Sequence, residues 1–447
     1  MANEDPLTQD NDRKEKIKSV VMVASGNFLE MYDFMVFGYY AAAIGFTFFP
    51  SQSEFASLML SLMTFGAGFL MRPVGAIVLG AYMDHHGRRA GLLLTLGLMA
   101  VGTASIAFTP GFAVIGLLAP LIVVIGRLVQ GLSAGVEVGG VSVYLSEIAT
   151  PGHKGFYVAW QSGSQQVAVI FAALLGIVVT SNLSRHQVQQ WGWRIPILVG
   201  CMLIPFIFLI RRRLKETPEF LARLHRPTPA QIMRSLAVNW RIVLLGTMVA
   251  TMTTVSFYLI TAYTPTFGSV ALKLNPMLSL VVTLCVGISN FILLPTMGAL
   301  TDRIGRRPQL ITCAALALLT GYPALSWLVS APSFGRLLAV ELWLSLVYAG
   351  YNGAMVVYVT EIMPADVRTS GFSIAYSLAT AIFGGFTPAI CTYLIHLTGN
   401  RAMPGVWLGF AALTGLTATL LLGLPSLRPK TQECKAAAAA AGSARPA

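Results

Sequence analysis

Polar positions in this chain come in short bursts, and apolar positions come in long runs. Runs of about 20 residues or more, enough to cross a bilayer as a helix, fall near 19–49, 55–83, 90–109, 112–145, 155–181, 194–211, 241–270, 277–301, 308–329, 334–362, 369–396 and 404–424. They predict twelve spans, six on either side of one sizeable polar stretch, 212–240, which is basic and punctuated by prolines. Several runs exceed the minimum, so tilted or kinked helices are expected.

Two of the bursts repeat. Gly80–Arg89 reads GAYMDHHGRR and Gly298–Arg307 reads GALTDRIGRR, with Asp84 and Asp302 218 residues apart. A loop this short and polar joins antiparallel helices. Its return half a chain later marks two copies of one helical bundle. A second repeat agrees: YLSEIATPGHKG (Tyr144–Gly155) and YVTEIMPADVRTSG (Tyr358–Gly371) each place a basic residue, Lys154 or Arg368, seven positions after a glutamate. The expected fold is an all-α membrane protein of twelve transmembrane helices in two six-helix bundles related by pseudo-two-fold symmetry. The segments are a cytoplasmic arm 1–18, a first bundle 19–211, a central cytoplasmic loop 212–240, a second bundle 241–424 and a low-complexity, disordered tail 425–447.

Composition supports the membrane reading. Of 447 residues 11% are charged and 55% hydrophobic, where a soluble domain has roughly a quarter charged. The net charge of +12 is not a nucleic-acid signal, because its distribution follows the loops. Twenty-three Lys and Arg fall on one side of the predicted topology and five on the other. The excess marks the cytoplasmic face and puts both termini there. Residues 1–18 are polar and the run after them is too long for a signal peptide, so it is expected to stay as the first span. The five cysteines are scattered, and His85 and His86 have no third ligand near them, so neither a disulfide frame nor a metal site is expected. No phosphate-binding loop, nucleophile elbow or zinc-protease motif is present, so neither an enzyme nor a nucleotide-driven pump is indicated.

These loops on twelve spans resemble the major facilitator superfamily. The pattern G-x-x-x-D-R-x-G-R-R is met in the second half; the first half departs from it at His85. SGNFLEMYDFMVFG (Ser25–Gly38), LMRPVGAIVLG (Leu70–Gly80), GRLVQGLSAGVEVGGVSVYLSE (Gly126–Glu147) and WGWRIP (Trp191–Pro196) resemble its metabolite–proton symporters. SEIATPGHKGFYVAWQSGSQQVA, VGISNF, YNGAMV and SLATAIFGGFTPAI are similar to the citrate–proton symporters, with tricarballylate carriers as close relatives. The resemblance, from Ser25 to Pro425, implies a monomeric secondary transporter of the bacterial inner membrane. It would import citrate or a close tricarboxylate by alternating access, with protons or Na⁺ as coupling ion and no other cofactor. Another organic acid or a zwitterionic osmolyte would leave the motifs unchanged. A non-transporting sensor would have no need of the intact loops.

Ionisable residues at membrane depth are expensive and need partners. Glu30 and Asp33 lie in span 1, Arg72 in span 2 and Arg127 in span 4; Glu137 and Glu341 are less central. At 1.5 Å per residue, Asp33 and Arg127 reach a similar depth, so a direct Asp33–Arg127 pair is expected, either as coupling device or as fixed bridge. Glu30 and Asp33 share a helix face, and the residues alone do not choose which of them titrates. Arg127 and Arg72 are the embedded cations suited to a substrate carboxylate, although Arg72 equally reads as a brace. Asn27, Tyr32, Gln161, Ser164, Gln165, Tyr258, Thr261, Tyr351 and Asn352 are candidate uncharged ligands, and each alone also reads as an interhelical hydrogen bond. Asp84, Arg88, Arg89, Glu147, Asp302, Arg306, Arg307 and Glu361 are read as gating latches. Gly131, Gly135 and Gly139 form a packing stripe.

Overall fold

A computed structural model of the protein describes residues 28–135, 137–212, 229–363 and 368–424. Asn27, the predicted arm, the start of span 1 and the predicted tail lie outside these residues. So do the side chains of Asp84, His85, Arg88 and Glu137. All regular structure among the described residues is helical, and the chain is a multi-pass membrane protein. Among the described residues, nine helices are long and apolar enough to cross a bilayer: Glu54–Met83, Arg89–Phe108, Lys154–Asn182, Trp240–Ala271, Pro276–Ile304, Arg306–Ser330, Phe334–Ile362, Arg368–Thr398 and Met403–Leu421. These are spans 2, 3, 5 and 7–12. Span 1 begins in helix 28–39 and continues through Ala41–Phe48. Span 4 is divided into Leu118–Ala134 and Glu137–Ile148, and span 6 is bent by 42° between Arg185–Gly192 and Arg194–Leu209.

The breaks in these helices have local causes. Span 2 turns at Met71 because Pro73, in the first turn of the next segment, has no N–H to give the carbonyl four residues back. Span 4 follows a single turn, Phe112–Ile115, that ends at Gly116 with φ +59°. Span 7 widens into π-helical turns at Leu259–Tyr263 and Phe267–Ala271, on either side of Pro265. The polar stretch 212–240 is not all loop: Pro229–Val238 is helical, opening on a proline and burying Leu236. The two repeated turns have the same backbone, Gly87 at φ 98°, ψ 156° and Gly305 at φ 90°, ψ 156°. Only glycine adopts this region freely, which explains why both copies carry it.

Small residues set the closest contacts. A Cβ on Gly131 would lie 1.6 Å from the Gly68 carbonyl oxygen, and one on Gly135 2.1 Å from that of Arg72. Spans 2 and 4 therefore touch backbone to backbone, and this part of the stripe is packing. Gly155 and Gly298 do the same between span 5 of the first half and span 8 of the second; a Cβ on either would meet the other's carbonyl oxygen at 2.2–2.4 Å. Spans 7 and 10 have 83% of their apolar windows buried and span 9 has 28%, so 7 and 10 line the middle while 9 faces lipid.

Candidate functional site

The centre of the first half holds two arginines around one phenyl ring. The Arg72 guanidinium lies 5.0 Å from the Phe34 centroid and 4.7 Å from that of Phe69. The Arg127 guanidinium lies 4.4 Å from Phe34, 4.5 Å from Phe37 and 5.4 Å from Phe65. Ring faces are negative, so this cage holds both cations away from water. Their polar partners differ. Arg72 donates to Glu30 at 2.7 Å in a buried ion pair, so it braces spans 1 and 2 together. Arg127 donates to the Gln130 carbonyl oxygen at 2.8 Å, while its Nε and Nη2 have no partner.

The expected direct Asp33–Arg127 pair is not formed. The Gln130 side chain stands between them: its oxygen accepts from Arg127, and its NH₂ lies 3.3 Å from Asp33 Oδ2 and 3.0 Å from the Thr103 hydroxyl. Thr103 also bonds Asp33 Oδ2, and Asp33 Oδ1 has no partner. Helical geometry is the cause, because Gln130 is three residues from Arg127 on the same face and reaches the carboxylate first. Of the two neighbouring acids, Glu30 is neutralised by an arginine, whereas Asp33 is held by uncharged groups.

The remaining candidates separate into used and open groups. The Tyr32 hydroxyl donates to the Pro196 carbonyl at 2.6 Å and the Tyr351 hydroxyl to that of Val249 at 2.9 Å, so both tie helices together. The hydroxyls of Ser164 and Thr261 turn to their own backbone, at Gln161 and Phe257. Tyr258 packs edge-on to Phe65 and Phe69 beside Arg72. Open groups remain on spans 5, 8 and 10. Gln161 accepts from Ser162 and keeps Nε2 free, and Gln166 keeps Oε1 free. Asn290 accepts from Ser345 at 2.8 Å and keeps Nδ2 free. Both amide atoms of the wholly buried Asn352 are without a partner. Gln165 is buried beside Gln161. Buried amide groups left unsatisfied across facing helices suit a polar guest.

At the end carrying the repeated loops, Asp302 accepts from the backbone N–H groups of Gly155 at 2.9 Å and Phe156 at 3.1 Å. It thereby caps span 5 of the other half, where the helix dipole is positive. Arg306 bridges Asp302 at 3.2 Å and the exposed Glu361 at 3.4 Å. Arg307 donates to the Thr419 carbonyl at 3.4 Å. In the first copy Arg89 and Glu147 are exposed.

Residues 19–237 match the family model for "Sugar (and other) transporter" and residues 275–445 that for "Major Facilitator Superfamily". The chain is 57% identical to the citrate-proton symporter of Salmonella typhi, over 94% of this chain and 96% of that protein. It is 58% identical to the citrate-proton symporter of Klebsiella pneumoniae, over 91% and 92%. The chain belongs to the major facilitator superfamily. A crystal structure of a D-xylose-proton symporter in the same superfamily superposes with a TM-score of 0.75 at 17% identity, covering 93% of this chain and 98% of that one. That likeness fixes the superfamily fold.

Gln130, Thr103 and Asn290 were not legible as site residues. Gln130 had one usable signal, its three-residue spacing from a buried arginine. The phenyl cage had another, since Phe34 and Phe37 follow Asp33 by one and four residues on the same helix.

Proposed function

We propose that the chain imports citrate, or a close tricarboxylate, together with protons across the bacterial inner membrane, with both termini cytoplasmic. What carries the reading is the 57% identity along 96% of a citrate-proton symporter; the geometry of the centre supplies a mechanism. Arg127 offers two unused N–H positions to a carboxylate, and charge-assisted bonds of this kind are the strong ones. The open NH₂ groups of Gln161, Asn290 and Asn352 serve the remaining carboxylate oxygens, and the free Oε1 of Gln166 can accept from a substrate hydroxyl. Asp33 is the proton site. The Thr103 hydroxyl has one hydrogen and lies against both the Met99 carbonyl and Asp33; with Asp33 protonated, both contacts are satisfied. Gln130 couples the two ends, since substrate that takes Arg127 also releases the amide that holds Asp33. Anion and proton then bind cooperatively, which is symport expressed as linkage. Na⁺ finds no acid pair to bind, because Glu30 is already committed to Arg72.

Uptake of labelled citrate into proteoliposomes under imposed pH or Na⁺ gradients, with tricarballylate, 2-oxoglutarate and betaine as competitors, tests this. Citrate accumulation driven by the pH gradient alone supports it, and accumulation that only betaine suppresses overturns it. Orientation has its own check. Ser184→Cys is expected to react with an impermeant maleimide from outside and Arg234→Cys only after permeabilisation. Asp302→Ala removes a cap worth about 1 kcal/mol from the cytoplasmic seam between the halves. Exchange is expected to slow several-fold while citrate affinity stays within roughly tenfold; lost binding in a folded variant would remove Asp302 from the gate.

A further inference from the structure

Glu341 is a buried carboxyl that this mechanism leaves unused. It lies in span 10, seven residues beyond Phe334, and is 3% exposed. The 214-residue offset that relates Glu147 to Glu361 carries Arg127 to Glu341, so the second half places an acid where the first half places its arginine. Its Oε1 lies 3.0 Å from the Thr264 hydroxyl of span 7, and its Oε2 has no partner. The titratable or charged groups on the adjoining elements are engaged elsewhere or uncharged. Tyr263 meets Thr392, and Arg336 bonds the Trp327 carbonyl and Ser330. Lys273 is exposed, Tyr258 packs against Phe65 and Phe69, Tyr348 packs against Phe257, and Cys285 is a half-buried free thiol. Among the described residues no cation lies within ion-pair distance of Glu341, and an ionised carboxylate buried in this way is strongly disfavoured.

Counting hydrogens decides the form. A threonine hydroxyl carries one, and the Thr264 oxygen lies 2.9 Å from the Ile260 carbonyl as well as 3.0 Å from Glu341. In the π register of span 7 the donor for Ile260 would be the N–H five residues on, and that residue is Pro265, which has none. The Thr264 hydrogen is therefore needed by Ile260. All three groups are satisfied only when Glu341 itself donates, giving a chain from Glu341 O–H to Thr264 O–H to the Ile260 carbonyl. If Glu341 loses its proton, Thr264 must turn its hydrogen to the carboxylate, and the Ile260 carbonyl is stranded in the turn beside Pro265. That turn abuts span 1: a Cβ on Gly38 would lie 3.3 Å from Ala262, and Thr266 donates to the Gly38 carbonyl.

We propose that Glu341 is a second proton-binding site, distinct from Asp33, whose proton state sets the bonding of the π turn in span 7. In the form described here it is the neutral acid. When span 7 moves and water reaches it, the O–H bond breaks, its electrons stay on the carboxylate, the proton passes to water and the Thr264 hydrogen rotates from Ile260 to Glu341. The proposal rests on the proton-symport reading above, and its test separates the two.

Two measurements on the full-length protein decide it. In proteoliposomes, protons taken up per citrate are counted with a pH dye and labelled citrate. Glu341→Gln, which can still donate to Thr264, is expected to carry one proton fewer per citrate with KM within about threefold; an unchanged count overturns the proposal. Infrared spectra of the purified protein give a readout that needs no transport. A carbonyl band of a buried carboxylic acid is expected in the native minus Glu341→Gln difference spectrum, apart from any band of Asp33, and moved to higher frequency in Thr264→Val, where its bond is lost. Native and Glu341→Gln spectra that superimpose, or a band unmoved by Thr264→Val, show an ionised or differently bonded Glu341 and also overturn it. If the band lost in Glu341→Gln is present but native protein moves no citrate, the substrate reading fails and the protonated state of Glu341 stands.

Discussion

Asp33→Asn is expected to exchange citrate across a membrane yet accumulate none against its gradient. Asparagine has the shape of the protonated aspartic acid and is equally uncharged, so the cavity stays closed around a group it already tolerates. The Gln130 and Thr103 contacts keep an acceptor. Citrate binding is therefore expected within about threefold of the native protein, or ~0.7 kcal/mol. Asparagine has no proton to gain or lose, so the proton that Gln130 links to Arg127 is gone, and the proton on Glu341 has no such link to the substrate's arginine. Counterflow of labelled citrate and uphill uptake, measured in the same vesicles, separate the two properties. Uphill uptake that survives Asp33→Asn would leave the proton to another carboxyl.

Arg127→Ala is expected to have the larger effect, because it removes the cation proposed to hold the substrate and disturbs the acid at once. Cutting one member from a buried charged network costs about 3 kcal/mol or more, roughly 100-fold in affinity. The phenyl cage of Phe34, Phe37 and Phe65 also loses the guanidinium it packs against, so a volume effect is expected on top. Lysine at this position is a useful control. It restores charge without the planar fork, and it is expected to recover only part of the binding, since a single ammonium cannot meet Gln130 and a carboxylate in the same arrangement. Both exchange and net uptake should fall together in Arg127→Ala, in contrast to Asp33→Asn. Citrate protection against thermal unfolding would report the loss of binding directly.

The contrast between what the sequence displayed and what it concealed has a physical basis. Bilayer crossing is a threshold on the length of apolar runs, so the spans and their order could be read with a ruler. The repeated turns were equally plain, since one backbone geometry demands glycine at both Gly87 and Gly305. Depth could also be counted, and Asp33 and Arg127 do belong to one network. Counting along two helices gives height but not the direction in which each side chain points, and it cannot see a third side chain in the gap. Gln130 escaped that count, and only its three-residue spacing from Arg127 pointed to it. The same limit applies to Tyr32 and Tyr351, which look like ligands by composition but spend their hydroxyls on the carbonyls of neighbouring helices. The interruptions of spans 2, 4 and 7 each sit at a proline or a glycine, yet other prolines, such as Pro295 and Pro323, stay inside continuous helices. Packing decides which of them break the helix.

The two buried arginines, Arg72 and Arg127, both belong to the first half; among the described residues the second half buries no Lys or Arg. On the proposed site, a bound anion is tethered electrostatically to one half only, while the other offers it amides and hydroxyls. When the halves rock, letting go of the second costs neutral hydrogen bonds, each about 1 kcal/mol net, and no separation of opposite charges in a low-dielectric space. With that site, the anion would ride as a passenger of the first bundle, and the second would act as a lid that lifts cheaply from either side.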